Sequence, residues 1–178
     1  VTVEEMKHLR SIGAVLIDTT CGSVLNVWKN VSKYARDGFT VVIHGKHYHE
    51  ETRATASQAL LHKGGAYLCV RDAAETEVVC EFVRGRVSRD EFLSRFSQAV
   101  SEGFDPTVHL ERIGLANQTT MLMSESLQVQ EMLRRAYLER HGAEGLAARF
   151  RSFDTICSAT QDRQDAVLKM FEETPPDV

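Results

Sequence analysis

The chain has 178 residues, 43% hydrophobic and 26% charged, enough to bury a core in one domain or two small ones. A formal net charge of −4 argues against nucleic acid or an anionic membrane as the main partner. The longest apolar runs are only a few residues, so nothing spans a membrane, and Val1-Thr2-Val3-Glu4-Glu5-Met6 is no signal peptide.

The first residue is not an initiator methionine, which points to a start internal to a longer product. Residues 13–17 form a short apolar run that reads as a strand ending in a polar turn. Val24, Val27, Trp28, Val31 and Ala35 then recur at helical spacing until Asp37-Gly38 stops the pattern. Residues 39–43 read as a second strand, residues 50–61 as a helix, and Gly64-Gly65 as its end. Residues 67–70 read as a third strand, followed by a helix through Val78, Val79 and Phe82. Phe92, Leu93, Phe96 and Val100 share one face of an extra helix ending at Gly103, an insertion around residues 86–106. Residues 113–116 read as a fourth strand, and Leu133, Ala136 and Tyr137 mark the helix after it. Strands alternating with helices predict an α/β fold: a four-stranded, mainly parallel sheet flanked by helices on both faces.

Two of the four cysteines stand in nearly the same phrase, Ile17-Asp18-Thr19-Thr20-Cys21 and Phe153-Asp154-Thr155-Ile156-Cys157. Each follows a short apolar run and precedes a helical pattern. A helix amino terminus favours the thiolate, the form that binds metal or attacks an electrophile. Metal ligation, redox pairing and simple packing at strand ends all remain open on spacing alone. Cys69 and Cys80 fall in a strand and on an apolar helix face, where buried, reduced thiols suit a cytosolic setting.

Ligands of such sheets gather outside the carboxyl ends of the strands. Four polar clusters fall there: residues 18–23, 44–52, 117–120 and 157–161. They offer thiols for metal, imidazole and hydroxyls for an anionic oxygen, and a carboxylic acid for proton delivery. Each also has a purely local account. His44, His47 and His49 lack a His-Glu-x-x-His zinc pattern, because Arg53 stands where the second histidine would be. Thr119 and Thr120 would serve as caps for a helix beginning near Ser124. Glu50 and Glu51 would complement a helix dipole, and Lys46 and Arg53 would be solvated charges.

Together the clusters carry a resemblance. Asp18-Thr19-Thr20-Cys21, His49-Glu50-Glu51-Thr52, Asn117-Gln118-Thr119-Thr120 and Thr155-Ile156-Cys157-Ser158-Ala159-Thr160-Gln161-Asp162-Arg163-Gln164-Asp165-Ala166 occur in this order. They resemble the LytB family, the 4-hydroxy-3-methylbut-2-enyl diphosphate reductases, over nearly the whole chain. Ile43-His44-Gly45-Lys46, Val100-Ser101-Glu102-Gly103-Phe104-Asp105-Pro106 and Ile113-Gly114-Leu115-Ala116-Asn117 are similar to the longer subtype of plants and cyanobacteria.

The resemblance implies a three-lobed protein around a 4Fe-4S cluster held by three cysteines, with one iron left free for the substrate hydroxyl. Two electrons from ferredoxin or flavodoxin and two protons would remove that hydroxyl as water, giving isopentenyl and dimethylallyl diphosphates. Cys21 and Cys157 match two cluster ligands, and His49 matches a diphosphate-binding histidine. Glu51 matches the acid of the proton relay, Thr119 a substrate-side hydroxyl beside it, and Thr160 a second polar group near the substrate. The assignment to Glu51 rather than Glu50 depends on aligning a short loop.

Gly22 stands where the family usually has proline, which loosens the turn without removing the ligand. The family's first cysteine and two further diphosphate-binding histidines precede this segment, and its serine and asparagine clamp follows the helix ending near Phe171. Cys69 and Cys80 do not match the missing ligand. The chain therefore reads as residues 1–151, the middle lobe, joined to residues 152–178, a cysteine-bearing linker and first helix of the following lobe. Such a piece alone is expected to be inactive, with its parent enzyme in the cytoplasm, or the plastid stroma if from a plant. The alternatives are a non-catalytic binding remnant that has lost the cluster, or a redox disulfide between Cys21 and Cys157.

Overall fold

The computed structural model describes residues 1–153 and 158–173. Three strands form where the apolar runs predict them: β1 (Thr40–His44), β2 (Tyr67–Val70) and β3 (Ile113–Asn117). The fourth, β4, is Phe150–Ser152, and all pair in parallel in the order β2-β1-β3-β4. Every residue of β1 and β3 is buried, as a parallel sheet covered on both faces requires.

The expected strand at residues 13–17 does not form. Val15 and Ile17 are 89% and 85% exposed, and the segment pairs with no strand. A short apolar run becomes a strand only where a neighbour accepts its hydrogen bonds, and β4 occupies the edge beside β3. A helix that periodicity did not reveal, α1 (Val3–Ser11), precedes it. Its signal is a capping box: the Thr2 hydroxyl accepts from the Glu5 amide at 3.3 Å, and the Glu5 carboxylate accepts from the Thr2 amide at 2.7 Å.

Helices α2 (Gly22–Arg36) and α3 (Glu50–Ala59) pack together and against β1. The Trp28 indole N–H donates to Thr55 Oγ1 at 3.2 Å, fixing α2 to α3. Helix α4 (Ala73–Val83) packs against α7 (Met123–Arg149), which breaks at Gly142, a residue at φ +68° that only glycine adopts easily. Between α4 and β3 lie α5 (Arg89–Phe96) and the short α6 (Pro106–His109), and α8 (Ser158–Glu173) ends the described chain.

The inserted helix is shorter than periodicity predicts. It ends at Phe96, and the chain then runs antiparallel to β2, with Cys69 N–H donating to Ala99 O at 2.7 Å and Ser101 N–H to Tyr67 O at 3.1 Å. These bonds occupy the free edge of β2, which would otherwise invite pairing with another chain. Phe92, wholly buried, anchors the insertion through ring contacts to Phe82 and Phe96.

Chain order fixes where a ligand site can form. From β1 the chain crosses through α3 to β2 on one side, whereas β3 and β4 lie on the other. Because α3 packs beside α2 and α7 beside α4, the carboxyl ends of β1 and β3 form the topological switch point, where sheets of this kind have their ligand crevice.

Candidate active site

Two of the four polar clusters meet at that crevice. The loop from β1 to α3 carries His49 as the amino-terminal cap of α3, its Nδ1 accepting from the Glu51 amide at 3.2 Å. A ring that accepts at Nδ1 holds its proton at Nε2 when neutral, so His49 keeps Nε2–H as a donor for an anionic oxygen. Glu51 reaches across the crevice, and its Oε1 accepts the Thr119 amide at 2.6 Å. Glu50 instead pairs with Arg53 at 2.8 Å on the exposed side of the helix. Two carboxylates that look equivalent in sequence are thus directed to different surroundings.

Gln118, 5% exposed, binds the two loops together. Its Oε1 accepts from the Lys46 amide at 3.2 Å and from Thr52 Oγ1 at 3.1 Å, and its Nε2 donates to Thr120 Oγ1 at 2.8 Å. Gly45 makes room for this contact, because a Cβ there would lie 2.9 Å from both Gln118 Cβ and Thr52 Oγ1. The threonines do not cap α7: its cap position is Leu122, which makes no side-chain hydrogen bond. Thr119 is 5% exposed beside Glu51, and Thr120 is exposed.

His44 closes the back of the crevice. It is wholly buried, with Nδ1 3.0 Å from Ser126 Oγ in the first turn of α7. Burial lowers its pKa from the ordinary 6.5, against the opposing pull of Glu125, Asp72 and the Arg71 backbone. On descending pH the unfolded chain therefore takes up this proton before the folded one does. Stability should be intact above pH 6.5 and decline as pH falls from there toward the lower native value. Urea midpoints across that range should decline less in His44→Asn, which cannot titrate; equal slopes in both proteins would exclude His44 as the source.

Cys21 is the amino-terminal cap residue of α2, exposed, with no side-chain cap bond. A free sulfur at the positive end of a helix fits a metal ligand. Among the described residues no group of three or more His, Cys, Asp or Glu side chains is arranged to hold a metal. Cys157 lies outside the described residues. Thr160 is half-buried in α8, and no hydrogen bond among the described residues joins it or Cys21 to the Glu51 cluster. Cys69 and Cys80 are buried, as expected, and burial pushes both thiols up to about 12.

Sequence reasoning placed Gln118 and His44 in the polar clusters but gave neither a role in the site. The available signal was position: each is a polar residue prolonging a buried apolar strand run. Among the described residues no helix is long and apolar enough to cross a membrane.

Known proteins resemble this chain along most of its length. The family model described as LytB protein matches residues 1–175. A 4-hydroxy-3-methylbut-2-enyl diphosphate reductase of Prochlorococcus marinus is 47% identical over 97% of the chain, and one of Synechococcus is 46% identical. The chain spans less than half the length of these curated relatives, 42% of each. A solved (E)-4-hydroxy-3-methyl-but-2-enyl diphosphate reductase matches 97% of the chain and 48% of its own with a TM-score of 0.58 at 24% identity. The Plasmodium falciparum reductase structure matches 97% of the chain and 42% of its own, with a TM-score of 0.65 at 16% identity. At such identities the structural likeness establishes the shared α/β fold.

Proposed function

This chain belongs to the LytB family, and from that premise we propose that it is the central part of a 4-hydroxy-3-methylbut-2-enyl diphosphate reductase, acting in the methylerythritol phosphate route to isoprenoids. Residues 1–151 would be its middle lobe and 152–178 the linker and first helix of the next. The reaction adds two electrons and two protons, releases the substrate hydroxyl as water, and leaves isopentenyl and dimethylallyl diphosphates.

The observation that carries this reading is the 2.6 Å bond from the Thr119 amide to Glu51 Oε1 at the switch point. With Oε1 engaged as an acceptor, Oε2 is the oxygen left to face the substrate. Glu51 passes it to the departing hydroxyl, which could not leave readily as hydroxide. The Thr119 hydroxyl would orient the substrate oxygen, with Thr160 as a second polar contact. His49 donates through Nε2–H to the diphosphate, a charge-assisted bond. A 4Fe-4S cluster held by Cys21, Cys157 and a third cysteine outside this chain would supply the electrons received from ferredoxin or flavodoxin.

Anaerobic assays with iron analysis, in a protein of the relatives' full length carrying this segment, test the assignment. Cys21→Ser should lose iron, whereas His49 variants should keep it and bind substrate more weakly. His49→Ala also removes the cap of α3, so His49→Asn is the cleaner variant: asparagine caps well but does not present the imidazole Nε2–H. Loss of one charge-assisted bond, about 1.5–3 kcal/mol, corresponds to a KM raised roughly 10- to 150-fold. An unchanged KM would remove His49 from the diphosphate site. A full-length protein that folds yet binds no iron would favour the non-catalytic remnant.

A further inference from the structure

We propose that His44 is a positioning residue whose carbonyl and imidazole clamp the two ends of segment 118–126, holding the Thr119 amide on Glu51. The carbonyl accepts the Gln118 amide at 2.8 Å, one residue before Thr119. The ring meets Ser126 Oγ at 3.0 Å, where the same segment has become the first turn of α7. Both anchors therefore belong to one residue of β1, and Thr119 lies between them.

Three features mark the side-chain anchor as more than core packing. Val41, Val42 and Ile43 precede His44 in β1, and all four are 0% exposed, so an apolar residue would meet the burial requirement alone. The ring also leaves Nε2 without a hydrogen bond of acceptable geometry. A buried, half-satisfied imidazole is costly where a valine would serve. Finally, α7 has Leu122 at its cap position and no side-chain cap bond, so the bond to Ser126, itself 3% exposed, ties its first turn to the sheet. Ser126 Oγ and His44 Nδ1 are partners in this bond, and the ring tautomer sets which of them donates.

Every charged group with a resolved influence on the ring lies at a helix start: Asp72 caps α4 and Glu125 precedes Ser126 in α7. Protonation would place a cation in a buried site, a cost that Glu125 and Asp72 oppose but do not offset. The clamp is consequently strongest with the ring neutral.

The clamp is tested on this chain by amide hydrogen exchange, and only its effect on turnover rests on the reductase reading. Ser126→Ala, a small change that spares the fold, should lower the protection of the Thr119 amide about tenfold, the size of one hydrogen bond. Protection of Val42 in β1 should not change. His44→Leu should do the same, and His44→Asn, which retains a polar group at the position of Nδ1, should restore it. In the wild type, Thr119 protection should drop in a step below pH 6.5 that His44→Asn lacks. Unchanged Thr119 protection in Ser126→Ala would overturn the clamp, whether or not the His44 variants fold. In the full-length enzyme Ser126→Ala should lower kcat and leave KM alone. Weakened Thr119 protection with normal turnover would keep the clamp and refute Glu51 as the acid.

Discussion

Glu51→Gln should reduce turnover of the full-length enzyme by about 10²–10⁴-fold, the usual consequence of losing a general acid. Glutamine keeps the size of the side chain and an Oε1 that still accepts the Thr119 amide, so the 2.6 Å link across the crevice should survive. What disappears is the proton on the other oxygen. Iron content should stay normal, since Glu51 is not a proposed ligand, and thermal stability should hardly move. Glu50→Gln is the internal control. Its carboxylate is 68% exposed and paired with Arg53, an arrangement that contributes about 0–1 kcal/mol to stability and nothing to the crevice. Near-normal turnover in Glu51→Gln, with a large loss in Glu50→Gln, would transfer the role to the neighbouring residue.

Gly114→Ala should lower the melting temperature markedly although it adds one methyl group. Gly114 lies in β3 between β1 and β4, and a Cβ there would stand 2.3 Å from Cδ2 and 2.5 Å from Cγ of Tyr34 in α2. The ring has little freedom to yield: Tyr34 is 6% exposed and packs against Phe39 and Phe153. Overpacking of this kind costs about 1–3 kcal/mol. In a domain of this size that is a fall of roughly 2–12 °C, since each kcal/mol moves the midpoint by about 2–4 °C. The methyl would also lever α2, which carries Cys21 at its start, away from the sheet. Tyr34→Leu in the Gly114→Ala background should recover part of the loss, the non-additivity expected of residues in contact. A melting temperature equal to wild type would show that α2 can shift freely.

The sequence by itself determined the α/β alternation, because three buried parallel strands need near-continuous apolar runs and their covering helices need a 3.6-residue period. It also determined the family, since the cysteine, histidine and threonine phrases hold their order along the chain. It marked Cys21 at a helix start, because turn residues before a helical period are a local signal. It could not distinguish β4 from the apolar run at residues 13–17, as both are short and strand formation depends on which finds a partner. Residue chemistry alone could not separate Glu50 from Glu51, and the choice of Glu51 rested on the family resemblance. Successive residues on a helix point about 100° apart, so only one could face Thr119, and which one follows from how α3 leans on the sheet. Gln118 and His44 were hidden for the same reason: their partners, Thr52 and Ser126, lie 66 and 82 residues away. Local chemistry set the parts of this site, and only the packing of two loops across the switch point decided which side chains meet.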